Sequence, residues 1–449
     1  MTILRELIAD IHLLGLFALV AAFIISTRFY LYPNIISISK IKGLMDAPGE
    51  RKMHSTQTPT LGGLGVFIAF SLTIIIFGAM ANLVQADLIK LLSLFGSLII
   101  LVFLGIKDDL ISVSPKGKFL GQLVAVMNVV VLTDIRIENF EGLLGLGELP
   151  YLVSVVYSVF VFVLVINALN LIDGIDGLAA SIAILSSTSF GVLFLINENY
   201  LMSLVSAILV GALIGFLRYN LSSNKKIFMG DCGSMLTGFL LAYQGIGFLT
   251  VNEIAQPLNK VPNAPVLLLA ILSYPLFDLL RVFAIRIKQK RSPFSADSNH
   301  IHHRLLRLGL DHKKATLVLC LCNAAVIIFA ILSISLNIHL ALLATVVMGA
   351  TLYLLPFLKV FELAGVEKLA EKVEVVVEDS VTKDTFEFNM KPLNYLQEGI
   401  KVDKKGAAEK ENVTSTTGDT IQDQRREEIR KKRISNKRSA AFRKLAQKR

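Results

Sequence analysis

The stretch Asn167–Leu178, NALNLIDGIDGL, joins two apolar runs, Tyr151–Ile166 and Ala179–Ile196, each near the length that crosses a bilayer. Two carboxylates, two carboxamides and two glycines at the mouth of membrane helices are costly unless water, a metal or a ligand meets them. On one helical turn Asp173 and Asp176 share a face, and their like charges favour a cation nearby. Gly174 and Gly177 leave the backbone thin enough for a bulky anion to approach. A plain reverse turn needs one or two polar residues rather than four plus glycines, so this one reads as a site.

Working outward, the 449 residues are 54% apolar, with a mean hydropathy of +0.63. That composition describes a membrane protein rather than a string of soluble domains. Runs of spanning length begin near Leu13, Leu61, Ile89, Phe119, Leu149, Leu178, Tyr200, Met235, Ala264, Ala315 and His339. The fold class is therefore an all-α polytopic membrane protein of about eleven transmembrane helices. Phe119–Ile135 is the weakest run, because Gln122 and Asn128 fall inside it; it is expected to be short or buried in the bundle. The run Leu13–Tyr32 lacks a small-residue cleavage site and reads as a retained helix. Cys232, Cys320 and Cys322 form no spaced framework and read as buried thiols.

The connections differ in character. Those near Ile41–Pro59, Lys107–Lys118, Asn167–Gly177, Arg218–Gly233 and Arg286–Lys314 carry motifs, and all but the third are rich in Lys and Arg. The alternate connections hold only Arg136 and Lys260. Basic loops stay cytosolic, which puts the motif loops and the C-terminus in the cytosol and the N-terminus outside. Two helices separate each motif loop from the next, so all five emerge on one face and can converge. Residues 1–356 form the membrane core and 357–449 a charged cytosolic tail. In that tail, 361–391 alternates weakly like a hairpin, and the part after Val402 reads as disordered or marginally helical. The basic end Arg425–Arg449 is open between lipid contact, RNA contact and a solvated tail that helps fix topology.

The first motif loop holds DAPGERKMH and then TPTLGG. Arg51, Lys52 and His54 are phosphate donors, and Gly62–Gly63 behind Thr58 and Thr60 adds an anion-binding helix start. Lys107-Asp108-Asp109, followed by Lys116 and Lys118, is suited to a divalent cation and phosphate at the membrane surface. Phe228-Met-Gly-Asp-Cys-Gly-Ser234 turns its backbone close to a ligand, with Asp231 aimed inward and Ser234 capping the next helix. His300, His302, His303 and Arg304 close the set. Zinc fits them poorly, since neither a cysteine nor an HExxH helix accompanies them, and diphosphate donation fits better. Carboxylates for a hard cation, basic donors and glycine turns together suit phosphoryl chemistry with Mg²⁺.

DAPGERKMH, KDD, NALNLIDGIDGLA, FMGDCGS and HIHH, in that order, resemble the polyprenyl-phosphate N-acetylhexosamine-1-phosphate transferases. The likeness covers roughly residues 40 to 315. The segment SPFSADSNHIHH looks most like the bacterial undecaprenyl-phosphate GlcNAc-1-phosphate transferase branch, related to phospho-MurNAc-pentapeptide translocase.

The resemblance implies transfer of HexNAc-1-phosphate, by default GlcNAc-1-phosphate, from a UDP-sugar to undecaprenyl phosphate, releasing UMP. This would be the initiating step of a cell-envelope glycan such as lipopolysaccharide, at the cytosolic face of the bacterial inner membrane. It implies Mg²⁺, or Mn²⁺ in its place, held by Asn170 and Asp231. It further implies catalytic roles for Asp108, Asp109, Asp173, Asp176, His302 and His303. Substrate contacts fall to Arg51, Lys52, His54, Lys118, Asn167, Asn220, Phe228, Ser234, His300 and Arg304, with Lys118 on the lipid phosphate and Phe228 stacking on uracil. The role of the first aspartate of the pair stays open. The partners implied are the bilayer and a second copy of the chain, with no nucleic acid required.

An ion-coupled transporter is the rival reading, because Asp278 lies inside an apolar run. Arg281 sits i,i+3 from it, and a local ion pair between the two is expected.

Overall fold

The computed structural model describes residues 11–28, 31–46, 57–80, 83–292 and 299–358. Most of that range is helical. In chain order come α1 (Ile11–Arg28), α2 (Leu31–Lys42), the two-residue strands β1 (Met45–Asp46) and β2 (Thr58–Pro59), α3 (Gly62–Met80), α4 (Gln85–Ile111) and α5 (Pro115–Thr133). Then follow α6 (Tyr151–Ile172), α7 (Leu178–Ile196), α8 (Tyr200–Asn220), α9 (Gly230–Ile254), α10 (Ala264–Ile271) and α11 (Ser273–Lys288). The last are α12 (Ile301–Arg307), α13 (His312–Leu332) and α14 (Ile338–Leu354). Among the described residues ten helices are long and apolar enough to cross a bilayer, and eleven when the bent pair α10–α11 counts as one span. The all-α polytopic architecture expected from the sequence is present. Of the tail at 357–449, all but Phe357 and Leu358 lies outside the described residues.

The core is centred on α9, which is buried without a break from Cys232 to Phe248. A helix apolar on every side belongs inside a bundle, and α3, α4, α6 and α7 pack around this one. α5 is a full span rather than a short or internal helix. Ser114 caps it by accepting from the Gly117 amide, and Pro115 fits the first turn, where no amide donor is needed. Its polar side chains bond to neighbouring helices: Asn128 Nδ2 donates to Ser93 O at 2.8 Å, and Gln122 Oε1 accepts from Asn167 at 3.0 Å.

The ninth span is broken. α10 and α11 meet at 74° around Leu272. Backbone groups freed at a break inside a membrane must find partners. Asn323 Nδ2 and Ser186 Oγ donate to Ile271 O, while Asn323 Oδ1 accepts from the Tyr274 amide and from Ser273 Oγ. Polar residues at 186 and 323, far apart in sequence, thus make the bend tolerable.

The bend redirects Asp278. The expected Asp278–Arg281 pair gives way to a longer-range contact: Asp278 accepts from the Ile301 amide at 3.0 Å and lies 2.9 Å from His300 Nδ1. Arg281 donates to Asn299 O and stacks over Phe357, 3.8 Å from its centroid.

The first loop joins α9 through its backbone. Gly62 and Gly63 amides donate to Phe228 O and Met229 O, and the Phe228 amide donates to Pro59 O. A Cβ on Gly63 would stand 2.1 Å from Gly233 N. These glycines therefore hold two helix starts together, and their amides are already engaged; the anion-binding reading of Gly62–Gly63 does not survive. Gly63→Ala is expected to force α3 off α9, at a cost of about 1–3 kcal/mol or more. The check is a fall in the thermal unfolding midpoint of the purified protein in detergent.

Candidate active site

The loops between α4 and α5, α6 and α7, and α8 and α9 meet the start of α13 around a cavity of 490 Å³. Its lining includes Thr60, Asp108, Asp109, Asn170, Asp173, Asp176, Asn220, Phe228, Asp231, Ser234, His303 and His312. Ten residues named from sequence motifs as catalytic, substrate-binding or metal-holding are brought together in that lining.

One wall is acidic. Asp109 accepts from the amides of Asp231 and Cys232, at 2.8 and 3.2 Å, and so caps the first turn of α9. Acids near a helix start are stabilised by its unpaired amides. Gly230 makes this possible: its φ is +71°, and a Cβ there would meet Thr60 O at 2.2 Å. Asp109 is thus a positioning residue for Asp231. The cap on α9 comes from Asp109, and Ser234, expected as the cap, sits inside the first turn and accepts from Asn170 Nδ2 at 2.8 Å. Asp108 accepts from the Val113 amide and pairs with Lys118 at 2.9 Å. Lys118 also reaches Asp231, at 2.8 Å, so it bridges two carboxylates. Asn170 Nδ2 donates to Asp231 as well. Asp173 completes the wall: burial, then Asp231, Asp109 and Asp176, push its carboxyl well above the usual carboxylate range.

The donor set suits a hard divalent ion, since oxygen ligands crowd together along this wall. Among the described residues, however, no three His, Cys, Asp or Glu side chains converge as a closed metal cage. Mg²⁺ typically takes one or two carboxylates and completes its shell with phosphate and water. Asp231 with Asn170 beside it fits that incomplete, substrate-finished kind of site.

The opposite wall is organised by Asp176. Its Oδ2 lies 2.6 Å from Lys226 Nζ and 2.9 Å from His312 Nδ1. Burial pushes the Asp176 carboxyl up, but the bonds from His312 and Lys226 outweigh it and hold it below the usual range. Asp176 therefore has Lys226 and His312 as partners of its own, while Asp173 feels chiefly Asp231 and Asp109. Lys226 Nζ also sits 5.2 Å from the Phe228 ring centroid. Asn220 clasps the loop: its Oδ1 accepts from the Gly177 amide at 2.6 Å and its Nδ2 donates to Ile227 O at 2.8 Å. Lys226 and His312 were not singled out in the sequence, where one is a lysine in a basic loop and the other follows a helix cap.

The histidines separate. His303 lines the cavity. His302 is fully buried behind it, and a Cβ on Gly174 would stand 2.5 Å from its Nε2. Gly174 thus lines the cavity and also makes room for His302, and Gly177 makes room for Leu221. Burial first, then the neighbouring histidines, keep the His302 imidazole well below its ordinary range. His300 is buried against Asp278. It stacks on His302 with ring centroids 5.4 Å apart, so it supports the histidine turn from behind. Arg304 turns away from the cavity, with Nε donating to Pro356 O at 3.1 Å. Asn167 bonds α5 through Gln122 and lies outside the lining. His300, Arg304 and Asn167, named from sequence as substrate-binding, thus stand outside the cavity lining and engage protein groups. Arg51, Lys52 and His54 lie outside the described residues.

Among the described residues, ten or eleven candidate spans carry an acidic cavity edged by Phe228 at their ends, the architecture of a polytopic membrane protein with a site at one end of its bundle. Residues 91–248 match the family described as Glycosyl transferase family 4. The chain is 32% identical over 332 residues to the "Probable undecaprenyl-phosphate N-acetylglucosaminyl 1-phosphate transferase" of Bacillus subtilis (strain 168), covering 72% of this chain and 87% of the relative. It is 29% identical over 365 residues to the "Decaprenyl-phosphate N-acetylglucosaminephosphotransferase" of Mycobacterium tuberculosis (strain ATCC 25618 / H37Rv), covering 77% and 89%. It is 28% identical over 314 residues to the "Undecaprenyl-phosphate alpha-N-acetylglucosaminyl 1-phosphate transferase" of Escherichia coli O157:H7, covering 68% and 80%. The chain belongs to the polyprenyl-phosphate N-acetylhexosamine-1-phosphate transferase family.

Asp109→Ala removes two amide bonds from the α9 start and is expected to cost about 1–3 kcal/mol of stability. Thermal unfolding in detergent checks this; an unchanged midpoint contradicts the positioning role.

Proposed function

We propose that the protein transfers HexNAc-1-phosphate, with GlcNAc as the sugar, from a UDP-sugar to undecaprenyl phosphate, giving undecaprenyl-diphospho-HexNAc and UMP. The observation that carries this reading is the two-walled cavity: carboxylates around Asp231 on one side, and Lys226, Phe228 and His303 toward the other. An aromatic ring suits a nucleobase, and the acidic wall suits a diphosphate that arrives with a divalent ion. The family relatives named for polyprenyl-phosphate acceptors support the lipid half.

The acceptor phosphate is ionised at neutral pH, so attack on the sugar-linked phosphorus needs little base catalysis. The barrier is repulsion between two anions, and charge neutralisation lowers it. Asp231 and Asn170 would hold Mg²⁺, which supplies that neutralisation on the donor diphosphate. Lys118, already shared by Asp108 and Asp231, stands where it can release one carboxylate and receive the lipid phosphate. Asp109 keeps Asp231 in register. His303 offers a ring nitrogen to the sugar-phosphate side. The attacking oxygen bonds to phosphorus as the bond to the bridging oxygen breaks, and UMP leaves with that oxygen.

The reading places the motif loops on the cytosolic face of the inner membrane, where UDP-sugars are available, supported by the basic residues of those loops. The product then begins a cell-envelope glycan.

Purified protein given UDP-GlcNAc, undecaprenyl phosphate and Mg²⁺ is expected to release UMP, and Asp231→Ala to lower release by at least about a thousandfold. Normal turnover of Asp231→Ala at ordinary Mg²⁺ contradicts the assignment. Lys118→Ala is expected to raise the KM for the lipid phosphate about tenfold or more, while the KM for UDP-GlcNAc moves little. Acceptor titrations of wild type and variant decide it.

A further inference from the structure

His312 opens α13 outside every motif quoted above, yet it lines the cavity. Its ring is fixed from one side only. Nδ1 lies 2.9 Å from Asp176 Oδ2 and 3.4 Å from the Asp176 amide. The two contacts demand opposite proton positions, and the shorter, charge-assisted one governs. Nδ1 then carries the proton. Lys226 lies 2.6 Å from the same carboxylate oxygen, so Asp176 joins the two side chains. Nε2, on the far side of the ring from Asp176, presents a lone pair.

We propose that His312 contacts the substrate as a hydrogen-bond acceptor for the nucleoside of the sugar-nucleotide, a role that rests on the donor proposed above. Two observations select the nucleoside over the diphosphate. A lone pair repels phosphate oxygen but accepts from a ribose hydroxyl or from the imide N–H of uracil. In addition, Asp176 ties His312 to Lys226, and Lys226 stands over Phe228, the one phenyl ring in the lining. The flat apolar seat for a base and the acceptor are thus joined through a single carboxylate, with Thr316 Oγ1 steadying the Asp176 carbonyl at 3.0 Å. This carboxylate–imidazole arrangement orients the ring and fixes its tautomer, as such pairs do at other sites.

The test is equilibrium binding of UDP to purified protein with Mg²⁺, together with donor kinetics. UDP-GlcNAc is compared with its 2′-deoxy, 3′-deoxy and N3-methyl analogues. Wild type is expected to disfavour one of the three by about tenfold, the worth of one hydrogen bond. His312→Phe and His312→Asn are expected to weaken UDP binding by a similar factor and to erase that preference, with kcat within about twofold and the acceptor KM unchanged. The Asn side chain still reaches Asp176 as a donor, which guards the loop against collapse. Wild type that binds all three analogues as tightly as the parent overturns the proposal without any variant. Variants that keep full affinity, or keep the analogue preference, overturn it too. Failure of wild type to release UMP would instead sink the donor reading itself, while UDP binding still reports on His312.

Discussion

Carboxylates crowded at the mouth of an apolar bundle must each be answered by a positive group or an amide, and this requirement organises the rest of the structure. Asp109 is answered by the first amides of α9, Asp108 by Lys118 and the Val113 amide, and Asp176 by Lys226 and His312. Each of these bonds also ties two loops together. The acids therefore serve as joints between segments as well as chemistry. What stays short of positive charge is the corner shared by Asp173 and Asp231, where Lys118 is the only cation within reach among the contacts described. A divalent ion arriving with its phosphates meets that deficit.

Such joints hold only if the backbones come close. Gly63 against Gly233, Gly105 against Cys232 and Gly230 against Thr60 O bring the first loop, α4 and the α9 start to distances at which any Cβ would collide with backbone. The loop after α6 is clasped separately by Asn220 and wedged by His302 behind Gly174. On the far side, the bend at Leu272 lets Asp278 reach His300, so the histidine turn is anchored to a membrane helix. Rigid scaffolding of this kind fits catalysis that works by placing charge in advance.

Much of this was legible in the chain. Hydropathy and loop parity gave the spans and put the motif loops together, because a bilayer leaves few alternatives for a run of twenty apolar residues. Residue type gave the acidic wall. Roles were harder, since a role depends on which neighbour a side chain meets. Asp173 and Asp176, three apart, look like a pair in sequence, but the helix stops at Ile172 and Asp176 turns to Lys226 and His312. Gly62 and Gly63 suggested room for a ligand and instead make room for protein, while Gly174 lines the cavity and also makes room for His302. Arg304 and Asn167 carry the right chemistry but turn to Pro356 and Gln122. Lys226 and His312 lay hidden because neither spacing nor composition marks them, and only Asp176 brings them together.

The account stands on the loops surfacing together at one membrane face. In a variant lacking native cysteines, single cysteines at Lys107, Ser223 and Lys313, all exposed, report on three of these loops, and one at Glu148 on the opposite end. Labelling sealed vesicles of known orientation with a membrane-impermeant maleimide is the most direct measurement. The account predicts that the first three react from one side, the cytosolic one, and Glu148→Cys from the other. Reaction of any two of the three from opposite sides would contradict it.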